Sequence, residues 1–400
     1  ITYEFSQKAD LSALSTHQLE TWVDYPSDTY RLNDTIKKTV RTLPLITSFP
    51  HLENFENGDG HWFAAGTNVS WQYGTPSTAK VKGAASGTKA WKTNLTGNYN
   101  DAEQSYLYSP CYNISALVNP MLSISLSLDL EDCGSSACDI AWVEYSADGS
   151  TWNKLGTFGQ GKNWYNRQIT SLGPVWSIQD FTTWHVASIP LPAGVSQLRL
   201  RVVLQTDPFV SREGIAIDDI HIFDKNYDIY DGPTLTNPVT VNNVSGTGWT
   251  HFTTGQQVIA SVNPGGQTLG NTRAQAYINT GAVRNKDNQY YHDRNITVQP
   301  ANAALTDSVS VRFYFLDTET ERLLQATACA TCNKPASAYH LGVSKYPDTS
   351  KIAEDGSILN NHLLNWQFIP PHKVVKVPYA QGYYAEFKVK SFSEFWLNNG

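Results

Sequence analysis

The amino-acid sequence predicts an all-β protein made of tandem β-sandwich modules, and three observations lead to this class. The 400 residues are 12% aromatic and 16% charged, with 27 glycines, 19 prolines and one methionine, a balance typical of strands and turns. Runs such as LSISLSLDL and SVSVRFYF alternate apolar and polar residues with the period of a β-strand. A chain of this length exceeds one typical core, so two or three modules are expected.

Residues 1–43 predict two strands joined by a turn, because TWVDYP and IKKTV flank the polar YRLNDT. The segment is too short to bury a core of its own. It resembles the last strands of an immunoglobulin-like adhesion module of large bacterial surface proteins. We therefore expect a partial immunoglobulin-like β module here, lacking its first strands.

Residues 44–231 predict a two-sheet jelly roll, because about eight short apolar runs alternate with turn signals between the linkers PLITSFP and GPTLTNP. The strand LSISLSLDL is expected to bury its apolar face and to leave its serine face in water. Asp148 and Gly149 supply the turn of a hairpin. We expect Trp91 in the core.

The order of motifs in this segment is more specific than any single motif. LENFENGDGHW, GTKAWKTNLTGNYN, SYLYSPCYNIS, LSISLSLDL, VEYSADGSTW and EGIAIDDIHI follow one another along the chain. This order resembles the MAM-like jelly-roll domains of secreted Bacteroidetes proteins. Animal MAM domains carry a cysteine framework that this chain lacks, so the resemblance is to the bacterial branch. It implies a bound cation, with Glu56 matching the acidic residue of the family's FE opening and Asp219 matching its IDD ending.

A Ca²⁺ site is also compatible with the residues themselves, because the first and last strands of such a sandwich commonly pair and bring carboxylates together. Ile217 and Ile220 cannot share a face of one regular strand, so a bulge or an inward aspartate is expected between them. The alternative is that these groups cap turns, bond their own backbone or meet arginines. The candidate ligands are Glu53, Glu56, Asn98, Asp101, Asp218 and Asp219.

Residues 232–400 predict a C-terminal β-sandwich module. In YYAEFKVKSF, Ala385, Phe387 and Val389 share one face and the polar residues share the other. The ending FSEFWLNNG resembles the module that precedes a type IX secretion sorting domain in Bacteroidetes proteins. The resemblance implies a partnership with the type IX secretion machinery through a sorting domain that this sequence does not contain.

The cysteines predict two local disulfides and an oxidising compartment. Cys133 and Cys138, and likewise Cys329 and Cys332, lie close together in loops rich in small residues. Cys111 is expected to be a buried free thiol.

Aromatic residues in the loop QGKNWYNRQITSLGPVW are candidates for glycan binding. Trp164, Tyr165 and Trp176 lie among glycine, asparagine and glutamine, and stacking with amide hydrogen bonds is how shallow sugar sites are built. The alternative is that they belong to the core, as most tryptophans of a sandwich do.

Several functional classes are disfavoured. The net charge of -7 comes without a basic cluster, so nucleic acid is not an expected partner. No apolar run reaches the roughly 18 residues of a membrane span. HExxH, GxSxG and P-loop motifs are missing, and we assign no catalytic residues.

The sequence therefore predicts a non-catalytic segment, extracellular or at the cell surface, of a secreted bacterial protein. Its expected role is adhesion or glycan binding, with surface glycans or other cell-surface proteins as partners. The alternative is that these are accessory and export modules of a larger secreted peptidase or glycoside hydrolase.

Overall fold

The structure is a computed structural model that describes residues 4–134, 136–192, 195–346, 356–361 and 366–400. Its strands before residue 42 are β1 (Thr16–Trp22) and β2 (Thr35–Arg41). The next sixteen strands are β3 (Leu45–Ile46), β4 (His51–Glu53), β5 (Phe63–Thr67), β6 (Trp71–Gly74), β7 (Ala90–Thr93), β8 (Gln104–Asn113), β9 (Pro120–Asp129), β10 (Asp132–Cys133), β11 (Ser136–Ala137), β12 (Ile140–Ser146), β13 (Asn153–Lys154), β14 (Arg167–Ile169), β15 (Gly173–Val175), β16 (Phe181–Pro190), β17 (Gln197–Gln205) and β18 (Gly214–Asp224).

The remaining elements begin after Asp224. The strands are β19 (Asp228–Ile229), β20 (Val239–Ser245), β21 (Thr250–Thr254), β22 (Gln257–Asn263), β23 (Thr268–Ile278), β24 (Asn285–Lys286), β25 (Gln289–Tyr290), β26 (Arg294–Pro300), β27 (Val309–Leu316), β28 (Gly342–Tyr346), β29 (Gln367–Ile369), β30 (Val375–Tyr379), β31 (Gly382–Val389) and β32 (Glu394–Asn398). One α-helix, α1 (Asp317–Gln325), lies between β27 and β28. Short 3-10 turns occur at Arg31–Asn33, Ala338–His340 and Pro371–Lys373.

The predicted pair of N-terminal strands is present. β1 and β2 form an antiparallel two-stranded sheet in which Thr16 pairs with Arg41. Its side chains are mostly exposed, and Trp22 keeps 68% of its surface in solvent. A hairpin of this size buries too little apolar surface to be stable by itself. The likeness of this segment to an immunoglobulin module stays a prediction.

Two six-stranded sheets then form the first sandwich. One has the order β13-β12-β17-β8-β3, with β5 also paired to β8. The other has the order β16-β9-β18-β7-β6, with β4 also paired to β18. Their facing sides bury the core, which includes Trp91 at 6% exposure, as predicted. The short strand β4, near the start of this sandwich, and β18, its last strand, are neighbours.

Two further six-stranded sheets form the second sandwich. Their orders are β19-β22-β27-β31-β30, with β21 on β22, and β20-β23-β26-β32-β28-β29. The alternation predicted for β31 is present, since Ala385, Phe387 and Val389 are buried and Lys388 is exposed. Because β19 (Asp228–Ile229) already pairs with β22, the change of sandwich occurs before the boundary that the sequence predicts after residue 231. The chain is thus all-β, in tandem sandwiches.

The second sandwich covers the outer face of the first. β30 contacts β9, β16 and β18, and Ser188 donates a 2.6 Å hydrogen bond to the carbonyl oxygen of Ala380. The expectation of a wet serine face on β9 is therefore wrong. Ser123, Ser125 and Ser127 have no exposed surface, because the second sandwich lies where water was expected.

The predicted disulfides are both formed. Cys133 bonds Cys138 and Cys329 bonds Cys332, each closing a short loop. Cys111 is free, as expected, but it is half-buried rather than fully buried.

Candidate functional site

A bulge in β18 places one carboxylate at the contact between the sandwiches. The pairing of β18 with β9 shifts between Asp218 and His221, and Asp219 has a φ of 46°, in the left-handed region. An extra residue in one strand turns consecutive side chains away from strict alternation. The bulge expected from Ile217 and Ile220 is therefore present.

Asp219 is buried among hydroxyl groups from three parts of the chain. Ser86 Oγ donates a 2.7 Å hydrogen bond to Asp219 Oδ1, and Ser125 Oγ lies 3.4 Å from Oδ2. Ser125 also bonds the Tyr339 hydroxyl of the second sandwich. Because hydroxyl groups can rotate to donate or accept, this set can adapt to either a proton or a cation on Asp219.

Glu56 is held nearby by the loop that follows Ser86. Its Oε1 accepts the backbone N–H groups of Thr88 at 2.8 Å and Lys89 at 2.7 Å. Gly87 has a φ of 59°, and a Cβ there would lie 2.3 Å from Glu56 Cδ, so only glycine lets the loop approach this closely. The sequence GTK after Ser86 thus positions the carboxylate.

Asp218 has a different role from Asp219. Its Oδ2 accepts the N–H groups of Ala85 at 2.9 Å and Ser86 at 3.2 Å, and its Oδ1 accepts the N–H of Asp219 at 2.8 Å. Both oxygens are thus occupied by backbone donors. Asp218 therefore fixes the loop that carries Ser86. This is the turn-capping role that the sequence offered as the alternative to cation binding.

Glu56 and Asp219 line a cavity of about 500 Å³ between the sandwiches, here called the junction cavity. The first sandwich contributes Leu52, Asn54, Ser86 and Gly87 as well, and the second contributes Tyr339, His340, His372 and Lys376. Lys376 Nζ donates a 2.8 Å hydrogen bond to the carbonyl oxygen of Pro371. The cavity therefore combines two carboxylates, several neutral oxygens and one ammonium group.

Burial shapes the electrostatics of the junction cavity. It raises the pKa of Asp219 to about 6, and it holds the pKa of Asp218 well above the usual range, with the neighbouring Asp219 charge adding to the effect. Burial also lowers the pKa of Lys376 to about 8, although attraction to Asp219 opposes this. An additional positive charge in the cavity would favour the ionised carboxylates.

Three side chains of the junction cavity offer oxygen atoms of the kind that a hard divalent cation takes, whereas the Lys376 ammonium in the same lining repels such an ion. Glu56, Asp219 and Ser86 offer only oxygen atoms, and Ca²⁺ takes six to eight oxygens that can include backbone carbonyls. These side chains do not form a tight cluster of their own. In the described part of the chain, the triads of acidic, histidine or cysteine side chains that converge within 4.8 Å are Glu131–Cys133–Cys138 and Glu131–Asp139–Asp207.

Four of the six predicted ligands do not line the junction cavity, namely Asp218, described above, and Glu53, Asn98 and Asp101. Glu53 is half-buried on the opposite side of β4 from Leu52 and accepts the Phe55 N–H at 2.8 Å. Asn98 is exposed, and its amide donates to the Ser211 carbonyl, before β18 begins. Asp101 is exposed in the same loop.

The loop with Asn98 and Asp101 lies near the start of β18, far along this strand from Asp218 and Asp219. Gly214, the first residue of β18, is four residues from Asp218, about 13 Å at the usual rise of a strand. The prediction that Asn98 and Asp101 complete the same shell is not supported by this geometry. Asn94 instead accepts the Thr96 N–H, the local turn that the sequence offered as the alternative.

The aromatic residues predicted to bind glycans are in the core. Trp164, Tyr165 and Trp176 are 2%, 6% and 2% exposed, and the Trp164 and Trp176 rings meet edge to face at 5.2 Å. The Trp164 indole N–H donates to the Leu155 carbonyl at 2.9 Å. The three side chains therefore belong to the core, the alternative that the sequence offered, because the loop folds back over the sandwich and its polar atoms find backbone partners.

Sequence reasoning missed the residues that the second sandwich brings to the junction cavity. Tyr339 and Lys376 lie on a 3-10 turn and on β30, far along the chain from Glu56. Ser86 lies in the loop AASGTK, where small residues between strands carry no distinctive signal. Only the packing of the two sandwiches brings these groups together.

No protein-family model matches the chain. Bacillopeptidase F of Bacillus subtilis strain 168 is 29% identical over 189 residues, which are 47% of this chain. The chain spans 11% of the length of this curated relative. In the described ranges, no helix is long and apolar enough to cross a membrane.

Solved structures with some likeness include adhesin and carbohydrate-binding domains. The K1 cleaved adhesin domain of Lys-gingipain from Porphyromonas gingivalis W83 is 16% identical and covers 44% of this chain and 97% of its own, with a TM-score of 0.27. The CBM22-1 xylan-binding domain of Paenibacillus barcinonensis Xyn10C is 15% identical and covers 45% and 96%, with a TM-score of 0.26. At these scores the likeness transfers no property to this chain.

Proposed function

We propose that this chain is a non-catalytic extracellular segment of a larger bacterial surface or secreted protein, acting in adhesion or glycan binding. The observation that carries the proposal is the burial of the serine face of β9 by the second sandwich, with the Ser125–Tyr339 bond at its centre. This contact joins two sandwiches into one unit with cavities between them. Binding surfaces built on rigid elements hold their geometry better than surfaces on loops.

Within this proposal, Ca²⁺ occupies the junction cavity. Glu56 and Asp219 would hold it through carboxylate oxygens, with the Ser86 hydroxyl as a further donor. When bound, the ion supplies positive charge where two carboxylates meet the second sandwich. The resemblance to MAM-like domains of secreted Bacteroidetes proteins, carried by the same Glu56 and Asp219, agrees with this assignment.

Binding of the purified chain to a broad glycan array and to whole cells, with and without Ca²⁺, tests the proposed function. We expect saturable binding to at least one glycan or cell-surface protein. A folded chain that stays unbound in both assays would overturn the binding role and leave only a structural stalk. Turnover of a peptide or glycoside by the purified chain would overturn its non-catalytic character.

A second candidate is that these sandwiches are accessory and export modules of a larger secreted peptidase or glycoside hydrolase. The identity of 29% with a short part of Bacillopeptidase F favours the peptidase version. The type IX secretion route, suggested by FSEFWLNNG, would serve either candidate. The open reading frame that contains this segment separates them, because a catalytic motif within it supports the accessory role and repeated sandwich modules support the adhesin.

A further inference from the structure

A second cavity between the sandwiches is lined mainly by aromatic side chains. It has a volume of about 290 Å³ and shares no lining residue with the junction cavity. Its lining includes Tyr227, which follows β18, and Trp249, Arg312, Tyr379 and Tyr384 of the second sandwich. We call it the aromatic cleft. Pockets that bind small ligands start at about 300 Å³, so this cleft suits a small group or the end of a chain.

The floor of the aromatic cleft is closely packed. Tyr314, Tyr379 and Tyr384 are 3%, 8% and 6% exposed, and their ring centroids lie 5.4 to 6.0 Å apart. The Tyr379 hydroxyl donates to the Tyr227 carbonyl oxygen at 2.8 Å, across the boundary between the sandwiches. A floor built this way is formed before any ligand arrives, which reduces the entropy that binding costs.

The wall of the cleft is an arginine between two aromatic rings. The Arg312 guanidinium carbon lies 3.9 Å from the centre of the Trp249 ring and 4.5 Å from that of Tyr384. Its Nε donates a 2.9 Å hydrogen bond to Glu386, which balances its charge. Trp249 is therefore held in place while it stays half-buried, with part of its surface open to solvent.

Asp224, the other charged side chain that lines the cleft, also has hydrogen-bond partners. The carboxylate of Asp224 accepts the N–H groups of Val118, at 3.2 Å, and Asn119. A cationic ligand would be repelled by Arg312, and an anionic one would have to compete with Glu386. The rim still offers neutral hydrogen-bonding groups, on exposed Asn226 and on His251, whose Nδ1 lies 2.7 Å from Ser261 Oγ. The cleft thus favours an uncharged ligand with an apolar face and polar edges.

We propose that the aromatic cleft binds one neutral sugar ring of a glycan, with the C–H face of the ring on the aromatic side chains and its hydroxyls on the rim. Sugars combine these two surfaces, and Trp and Tyr are water-tolerant platforms for them. The inference rests on the proposed glycan-binding role and assigns it a site. This site is distinct from the buried Trp164 cluster.

Saturation-transfer NMR and calorimetric titration of the full chain test this site. The probes are neutral oligosaccharides of glucose, galactose, mannose and xylose, with sialylated and uronic-acid oligosaccharides as charged counterparts. Trp249→Ala should weaken binding of the preferred neutral sugar by about tenfold, a typical value for one aromatic contact. Trp22→Ala, which removes an exposed ring of the N-terminal hairpin, is the matched control and should bind like the parent chain.

The possible results distinguish failure of the aromatic cleft as the binding site from failure of the proposed glycan-binding function. Equal binding by Trp249→Ala and the parent chain would overturn the site and leave glycan binding elsewhere on the molecule. If the parent chain binds none of the sugars, both the glycan-binding role and the site are overturned. If it prefers the charged sugars, the proposal of a neutral ligand is overturned. If Trp249→Ala has a lower melting temperature than the parent chain, Asn226→Ala on the exposed rim is tested instead. We expect this variant to bind the sugar about threefold more weakly, the value of one hydrogen bond. Unchanged affinity in Asn226→Ala would count against the site.

Discussion

The Nδ1 atom of His221 lies 2.8 Å from the carbonyl oxygen of Pro378, so a buried imidazole of the first sandwich bonds the backbone of the second. A carbonyl oxygen only accepts hydrogen bonds, so Nδ1 carries the proton in this pair. Burial lowers the pKa of His221 to about 3, and the positive charges of Arg312 and His51 act in the same direction. The contact between the sandwiches therefore includes a neutral histidine.

This contact predicts a loss of stability in acid. The folded-state pKa of His221 is below the unfolded value of about 6.5, so its contribution is complete above pH 6.5 and is lost as pH falls toward 3. His221→Gln removes this dependence. The free energy of unfolding of the parent chain minus that of the variant should shrink by about 1–2 kcal/mol from pH 7.5 to pH 5.

Urea unfolding at the two pH values measures this difference. His372→Gln, at an exposed histidine, serves as the control. A constant difference for His221→Gln across this range would mean that His221 does not stay neutral in the folded chain.

Calcium is expected to stabilise the chain through Glu56. At a hundred times the dissociation constant, a ligand that binds only the folded state adds about 2.7 kcal/mol. The melting temperature should therefore rise by several degrees with Ca²⁺ and fall again with EGTA, and Glu56→Gln should abolish the rise. Glu53→Gln, three residues away but outside the junction cavity, should keep it. An equal response in both variants would contradict the assignment.

An arginine at the contact should separate the sandwiches. Ser188 is 1% exposed and faces Ala380, so Ser188→Arg inserts a long charged side chain where no room exists. We expect a loss of at least about 2–3 kcal/mol at the contact. Calorimetry should then show two unfolding transitions and solution scattering a larger radius of gyration. The same change at exposed Ser150 should alter neither measurement.

Trp164 should matter for stability and not for recognition. Removing a fully buried tryptophan side chain costs about 3–5 kcal/mol, because the cavity left behind does not close. Trp164→Ala should lower the urea midpoint accordingly, whereas Phe158→Ala, 53% exposed in the same loop, should leave it nearly unchanged. Loss of sugar binding in a Trp164→Ala chain that keeps its full stability would reinstate this residue as a binding group.

Local patterns were sufficient for much of the fold. Alternation located strands such as β9 and β31, and turn residues located the loops between them. The short spacing of each cysteine pair predicted its disulfide. Ile217 and Ile220 cannot share a face of a regular strand, which predicted a bulge or an inward aspartate between them, and the structure has the bulge at Asp219. These features depend on contacts between near neighbours in the chain or on strict strand geometry.

What lies against each face was decided by tertiary structure alone. The period of a strand tells which residues share a face, but not whether water or another sandwich covers it. That is why the serines of β9 were predicted as exposed and are buried, and why the sequence left open whether Trp164 lies in the core or at a sugar site. Ser125 and Tyr339 are 214 residues apart, and their contact follows from how two sandwiches pack, which no local pattern records.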